Sequence, residues 1–271
     1  MPELPEVETV KRGLEPVLKH AVIRRLTLHR PDLRIPFPER LSERLEGRCC
    51  LGLRRRGKYI WADFNNGETL VIHLGMSGSF TINPHKSRPH DHLVIETENG
   101  DKIVYNDPRR FGMFFIVTTG QEAAHSAFAR MGPEPLGNEF NAPSLLHALK
   151  NRHTPVKVAL LDQSVVAGIG NIYACEALYM AGISPLTKSS AITVEQANTL
   201  VTAIREVLNL AIASGGSSLR DHIQTDGTMG YFQHSFKVYG RAGETCGETG
   251  DIIQKIIQAG RSTFYCPAKQ R

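Results

Sequence analysis

The sequence is sparing with cysteine, has no long apolar run and carries only a small excess of one charge. Five cysteines in 271 residues form an odd, scattered set, which argues against a secreted disulfide framework. The opening residues Met1-Pro2-Glu3-Leu4-Pro5-Glu6 are acidic and polar, unlike a signal peptide. Apolar stretches such as Phe114-Phe115-Ile116-Val117 are far short of the about 20 residues a membrane span needs. No Walker motif, internal repeat or low-complexity tract is present. A soluble, cytoplasmic protein with no membrane partner is expected. Lys and Arg number 32 against 27 Asp and Glu, a net charge of +5, so composition permits a nucleic-acid partner without requiring one. At 41% hydrophobic and 22% charged, the chain is not disordered and is long enough for one large core or two smaller ones.

Periodicity divides the chain in two. Pro5 suits a first helical turn, Glu6 and Glu8 complement the positive end of the dipole, and Val7, Val10 and Leu14 recur at helical spacing up to Pro16. From about residue 21 to 117 short β-like runs follow, with Asn65-Asn66-Gly67 and Asn99-Gly100 as hairpin turns. The only helical interruption lies near 39–46. This half reads as a β-sandwich with a leading helix. The second half is helical: a piece near 142–151, a helix from Thr154 as N-cap to about Gln163, a run over 172–180, and a long helix opened by a Thr193/Gln196 capping box and stopped by Gly215-Gly216. The last stretch, about 236–271, reads as a β-hairpin with a cysteine near each end. The class is α+β.

Several segments could carry chemistry. With Met1 removed, Pro2 offers a secondary amine that is partly neutral at pH 7, and its attack on a sugar C1′ yields an iminium, an electron sink for elimination. Glu3 beside it could protonate a departing group. Taken alone, the same residues are fully explained by helix initiation. In Arg54-Arg55-Arg56-Gly57-Lys58-Tyr59, a strand would place Arg54, Arg56 and Lys58 on one face, a row of cations suited to phosphates or to solvent. Asn106-Asp107-Pro108-Arg109-Arg110-Phe111-Gly112 sets two arginines beside a Phe in a Pro/Gly-bounded loop, which suits an apolar wedge in a base stack. Met76, in His73-Leu74-Gly75-Met76-Ser77-Gly78, offers a second wedge or a core side chain. Gly168-Ile169-Gly170-Asn171 opens a helix with free N–H groups, a phosphate site or simply a turn. His90 and His92 lack a third metal ligand.

Taken together, residues 2–9, 106–112, 168–171 and 240–266 resemble the bacterial formamidopyrimidine-DNA glycosylases, in the expected order from first residue to last. The resemblance implies an N-terminal catalytic domain (1–133), a helix–two-turn–helix DNA-binding domain (134–234) and a C-terminal hairpin finger (235–271). It implies Pro2 as Schiff-base nucleophile, Glu3 as the acid that assists sugar-ring opening, Glu6 as its support, and Lys58 as a DNA contact near the lesion. Met76, Arg109 and Phe111 would fill the gap left by the flipped nucleotide. Asn171 and Arg261 would clamp phosphates, with Tyr239 near the same surface. Segment 217–231 resembles the loop that closes over an oxidised purine. The implied function is a monomeric glycosylase and AP lyase that removes oxidised purines from double-stranded DNA through a Schiff base on Pro2 and then cleaves the strand at the abasic site by β,δ-elimination. Rivals are a glycosylase for oxidised pyrimidines and a non-catalytic protein that binds damaged DNA.

One departure stands out. The family finger holds zinc through two C-x2-C pairs, but here the residues three after Cys246 and Cys266 are Thr249 and Lys269. Neither is a usual zinc ligand, and the Lys ammonium repels the ion. A zincless finger without cofactor is expected, its stability supplied by packing of Ile252, Ile253, Ile256, Ile257 and Phe264.

Overall fold

The computed structural model describes residues 2–217, 225 and 230–271. The chain divides into two compact units, 1–129 with 214–233, and 130–213 with 234–271. The terminal hairpin thus belongs with the helical unit, and the segment after the long helix with the first.

The first unit opens with helix α1 (Leu4–Leu18). Its Val7, Val10, Leu14 and Leu18 are buried in the same core as Ile60, Ile72, Leu93, Tyr105 and Phe114. That core lies between two four-stranded antiparallel sheets. One has strands β1 (Ile23–Leu28), β6 (Asp91–Thr97), β7 (Lys102–Asn106) and β5 (Ser79–Ile82) in that order. The other has β2 (Cys50–Arg56), β3 (Tyr59–Phe64), β4 (Glu68–His73) and β8 (Met113–Thr118). Both expected Asn-Gly turns form, with Gly67 and Gly100 at φ +78° and +91°. That left-handed backbone is the one such turns require. The short helix α2 (Leu41–Leu45) falls where the sequence places it.

The second unit is built on α3 (Ala142–Leu149), α4 (Val156–Leu160), α5 (Asn171–Met180) and α6 (Val194–Ala213), and ends in the pair β9 (Gln254–Gln258) and β10 (Arg261–Tyr265). Residues 172–179 of α5 are all buried; α5 packs on α4, α6 and β10. The capping box of α6 forms: Thr193 N–H donates to Gln196 Oε1 and Gln196 N–H to Thr193 Oγ1, at 3.1 and 3.2 Å. Helix α4 corrects the sequence reading. It has five residues rather than about ten, and Pro155, not Thr154, is its N-cap. The side chain of Gln163 instead bonds the loop that follows, donating to Ile169 O and accepting from Gly168 N–H.

Among the described residues no helix is long and apolar enough to cross a membrane. Leu14 is fully buried where α1 meets the sandwich core. Leu14→Ala is expected to destabilise the protein by about 2–5 kcal/mol, read from urea unfolding midpoints; a loss under about 1 kcal/mol would contradict this packing role.

Candidate active site

The N-terminal site begins at the start of α1. Pro2 and Glu3 are buried. Glu3 is the N-cap, and its backbone N–H donates to Glu6 Oε2 at 2.9 Å. The other oxygen of Glu6 accepts from both the backbone N–H and the hydroxyl of Ser217, each at 2.8 Å. Gly216, at φ +78°, runs so close that a Cβ there would lie 3.3 Å from Glu6 Oε1. A buried carboxylate needs such donors. Residue 3 is therefore fixed to residue 6, and residue 6 to the segment after α6.

The row of cations on a strand face does not form. Strand β2 ends at Arg56, and Gly57, at φ +54°, turns with Lys58 into β3. Arg54 is bound to Asp63 at 2.6 and 2.8 Å and to Glu122 at 2.7 Å. Its guanidinium lies 4.7 Å over the Trp61 ring. Arg55 donates to Glu8 at 3.0 Å. These arginines hold the protein together, and Lys58 sits in the tight turn, largely buried.

Lys58 acts electrostatically on His73 at the end of β4. Burial first, then the charges of Lys58 and Arg34, lower its pKa to about 4. The neutral ring can then accept Gly75 N–H on Nδ1 at 3.1 Å. That bond shapes the loop carrying Met76, which is half-buried rather than a core side chain. A Cβ at Gly75 would lie 2.3 Å from the Phe111 carbonyl carbon, so glycine lets this loop touch the 107–112 loop directly.

Asp107, fully buried, ties the two loops together. It accepts from Ser77 Oγ at 2.5 Å, Gly112 N–H at 2.8 Å and Tyr105 OH at 3.3 Å. Ser77 Oγ in turn accepts Arg109 N–H at 3.2 Å. Arg110 adopts φ +57°, and beyond it Phe111 is 40% exposed with the Arg109 guanidinium 5.1 Å from its ring centre. The structure thus brings Met76, Arg109 and Phe111 together on one braced pair of loops. His92 is structural, with Nε2 bonded to Asp107 O at 2.9 Å.

In the second unit, Asn171 is the first residue of α5. Its Oδ1 accepts from the buried Lys157 ammonium at 2.5 Å, and its Nδ2 donates to Ser262 O at 2.8 Å. The latter bond brings Asn171 beside Arg261, which is exposed at the start of β10. Glu176, also on α5, is 3% exposed and accepts the N–H groups of Lys237, Val238 and Tyr239 at 2.8–3.0 Å. Burial raises its pKa, while those three bonds pull it back. Tyr239 packs edge-on to Phe264, ring centres 5.1 Å apart. Sequence reasoning missed Ser77, Asp107, Lys157, Glu176 and Ser217. Ser77 and Asp107 do stand in the two loop segments that the sequence singles out, and Glu176 is a charge on an otherwise apolar helix.

Residues 1–114 match the family model of the formamidopyrimidine-DNA glycosylase N-terminal domain, and residues 131–223 that of its H2TH domain. Proteins named formamidopyrimidine-DNA glycosylase from Ruegeria pomeroyi and Jannaschia sp. are each 53% identical to this chain, over the whole of both sequences. The chain belongs to the formamidopyrimidine-DNA glycosylase family. Solved relatives agree. The MutM (Fpg) protein from Thermus thermophilus superimposes with a TM-score of 0.89 at 39% identity, covering 99% of this chain and 98% of that one. Lactococcus lactis Fpg, in complex with DNA containing an abasic site, gives 0.90 at 34% identity over 99% of each chain. The L. lactis enzyme bound to N7-benzyl-Fapy-dG DNA gives 0.91 at 35% over the whole of both.

The glycosylase finger shows how this chain departs from a four-cysteine metal site. Cys246 and Cys266 are buried, but no group of three or more His, Cys, Asp or Glu residues able to hold a metal occurs among the described residues. Two thiols with a hydroxyl and an ammonium do not fit zinc. The expected replacement by packing is corrected in part. Ile253 is buried and Phe264 packs beside it, but Ile252 and Ile257 are 53% and 65% exposed. Segment 217–231 lies outside the described residues except for Ser217, Thr225, Gly230 and Tyr231.

Two measurements check the loop geometry. The folded pKa of His73 lies below its unfolded value of 6.5, so the unfolded chain binds more protons between about pH 4 and 6.5. Stability is therefore lost as pH falls through that window. NMR titration is expected to give His73 a midpoint near 4; a midpoint near 6.5 would refute the buried, neutral ring. Asp107→Ala strands several buried donors and is expected to cost about 2–4 kcal/mol by denaturant unfolding, whereas a neutral substitution would show that the loops do not depend on it.

Proposed function

We propose that this glycosylase excises oxidised purines, formamidopyrimidines and 8-oxoguanine among them, from double-stranded DNA and then cleaves the strand at the abasic site. With Met1 removed, the Pro2 nitrogen attacks C1′ of the damaged nucleotide, the glycosidic bond breaks and the base leaves with a proton. Glu3 assists by protonating the sugar ring oxygen as it opens. The resulting iminium acidifies the C2′ hydrogen, so loss of that proton to solvent expels the 3′ phosphate; loss of the C4′ proton then expels the 5′ phosphate, and hydrolysis by water finally releases the Pro2 amine. The lesion must leave the stack first, at a cost of a few kcal/mol. Met76 and Phe111 offset that cost by occupying the gap, Arg109 meets the orphaned base, and Lys58 contacts the backbone near the lesion. Asn171 and Arg261 hold the flanking phosphates, with Tyr239 beside them.

The observation that carries this reading is the Glu6 carboxylate, which fixes the backbone of Glu3 from one side and Ser217 from the other. Such pinning gives the N-terminal amine a defined place, as a nucleophile requires. The N7-benzyl-Fapy-dG and abasic-site complexes of the L. lactis enzyme support the same substrate class. The protein acts as a cytoplasmic monomer, and its finger works without a resident zinc ion.

Excision assays on defined duplexes test the proposal. Oxidised-purine duplexes are expected to be cut faster than oxidised-pyrimidine or undamaged ones, and borohydride is expected to trap a covalent complex. Glu3→Gln is expected to slow base release by about 10²–10⁴-fold. Binding without trapping by the processed protein would instead make it a non-catalytic reader of damage, and a preference for oxidised pyrimidines would reassign the substrate.

A further inference from the structure

Zinc in a four-cysteine finger does two jobs: it joins two turns to each other, and it places a positive charge among the sulfur atoms. The two turns here, 246–250 and 266–270, keep their shape through their own bonds. Cys246 N–H donates to Asp251 O at 2.7 Å and Gly250 N–H to Cys246 O at 2.9 Å. Cys266 N–H donates to Gln270 Oε1 at 2.8 Å, and Gln270 Nε2 reaches Ile183 O at 3.0 Å.

The residues standing where a metal site would place its second and fourth ligands supply a different junction. Thr249 Oγ1 meets Cys266 Sγ at 3.3 Å, so the first turn reaches the second by a hydroxyl–sulfur hydrogen bond. Lys269 reaches back from the second turn to the first and pairs with Glu248. The same ammonium lies 4.3 Å from the centre of the Tyr179 ring, close enough for cation–π attraction. Tyr179 comes from helix α5, and its hydroxyl lies 3.2 Å from Cys246 Sγ. One aromatic side chain therefore receives the cation on its face and the sulfur at its hydroxyl, and carries both turns onto the helix that begins with Asn171.

We infer that the cluster of Lys269, Glu248, Tyr179 and Thr249 around Cys246 and Cys266 replaces zinc as the clamp of the finger, with the Lys269 ammonium as its cation. The apolar residues alone do not account for the clamp, since Ile252 and Ile257 face solvent. Lys269 is partly shielded, at 19% side-chain exposure against 56% for Glu248, which keeps its attraction from being screened entirely. The inference rests on the zinc-free reading of the finger, but its readouts are metal content and melting, which do not depend on lesion processing.

The test uses the full-length protein expressed in zinc-supplemented medium. Wild type is expected to contain no stoichiometric zinc by elemental analysis and to melt at the same temperature with and without a strong chelator. Lys269→Met keeps the stem but removes the charge, and is expected to lower the melting temperature by about 2–4 °C and to weaken binding of a duplex carrying an abasic-site analogue. Lys269→Arg is expected to restore most of both losses. Thr249→Cys combined with Lys269→Cys rebuilds four thiols and is expected to bind one zinc per chain and become chelator-sensitive. Stoichiometric zinc in wild type would overturn the inference, as would Lys269→Met melting and binding like wild type. Should Lys269→Met be insoluble, the double-cysteine protein decides alone: failure to take up zinc would show that the cluster does not occupy a metal's place.

Discussion

The buried Glu6 carboxylate is the interaction on which the N-terminal site depends. A charge taken out of water must be met by donors, and Glu6 finds them in the backbone of Glu3 and in both donors of Ser217. Each bond to a charged group contributes about 1.5–3 kcal/mol, so the residues around the amine cannot drift without losing one of them. Helix α1 adds leverage, because Val7, Val10 and Leu14 are sealed into the sandwich core. A chain terminus is ordinarily the loosest part of a protein. Here Glu3 is bonded to Glu6, on a helix whose apolar face is buried in the core.

The same design recurs wherever an exposed side chain needs a fixed direction. Asp107 is hidden so that Arg109 and Phe111 can be displayed. Glu176 gathers three successive amides and so aims the segment that bears Tyr239. Lys157 holds Asn171, which holds the strand of Arg261. In each case the residue presented to solvent is set by a buried polar partner on a rigid element. The clamp inferred for the finger would follow the same logic, with the Lys269 ammonium in place of a metal ion.

Much of the fold was legible because local chemistry and tertiary packing agree. The Asn-Gly turns, the buried stripe of α1 and the Thr193/Gln196 box each specify their element without help. Helix α4 was overextended because nothing in its sequence reveals that Gln163 is claimed by the following loop. The cation row failed for a similar reason: Arg54 reads as a phosphate contact until Asp63 and Glu122 are brought to it by the fold. Buried charges such as Lys157 and Glu176 resemble solvated ones in a sequence, since only long-range contacts distinguish them. The candidate site was legible chiefly through the resemblance of its motifs. Glu6, Asp107, Arg109, Phe111, Asn171 and Arg261 fall within those motifs, while the braces Lys157 and Glu176 do not.

Attack by the Pro2 amine is decided by mapping the covalent bond itself. The processed protein, incubated with an oxidised-guanine duplex and borohydride, would be digested and the DNA-bearing peptide identified by mass spectrometry. The adduct is expected on the peptide that begins with Pro2, at its nitrogen. An adduct on a lysine side chain, Lys58 above all, would contradict the assignment and make the pinned N-terminus a structural feature only.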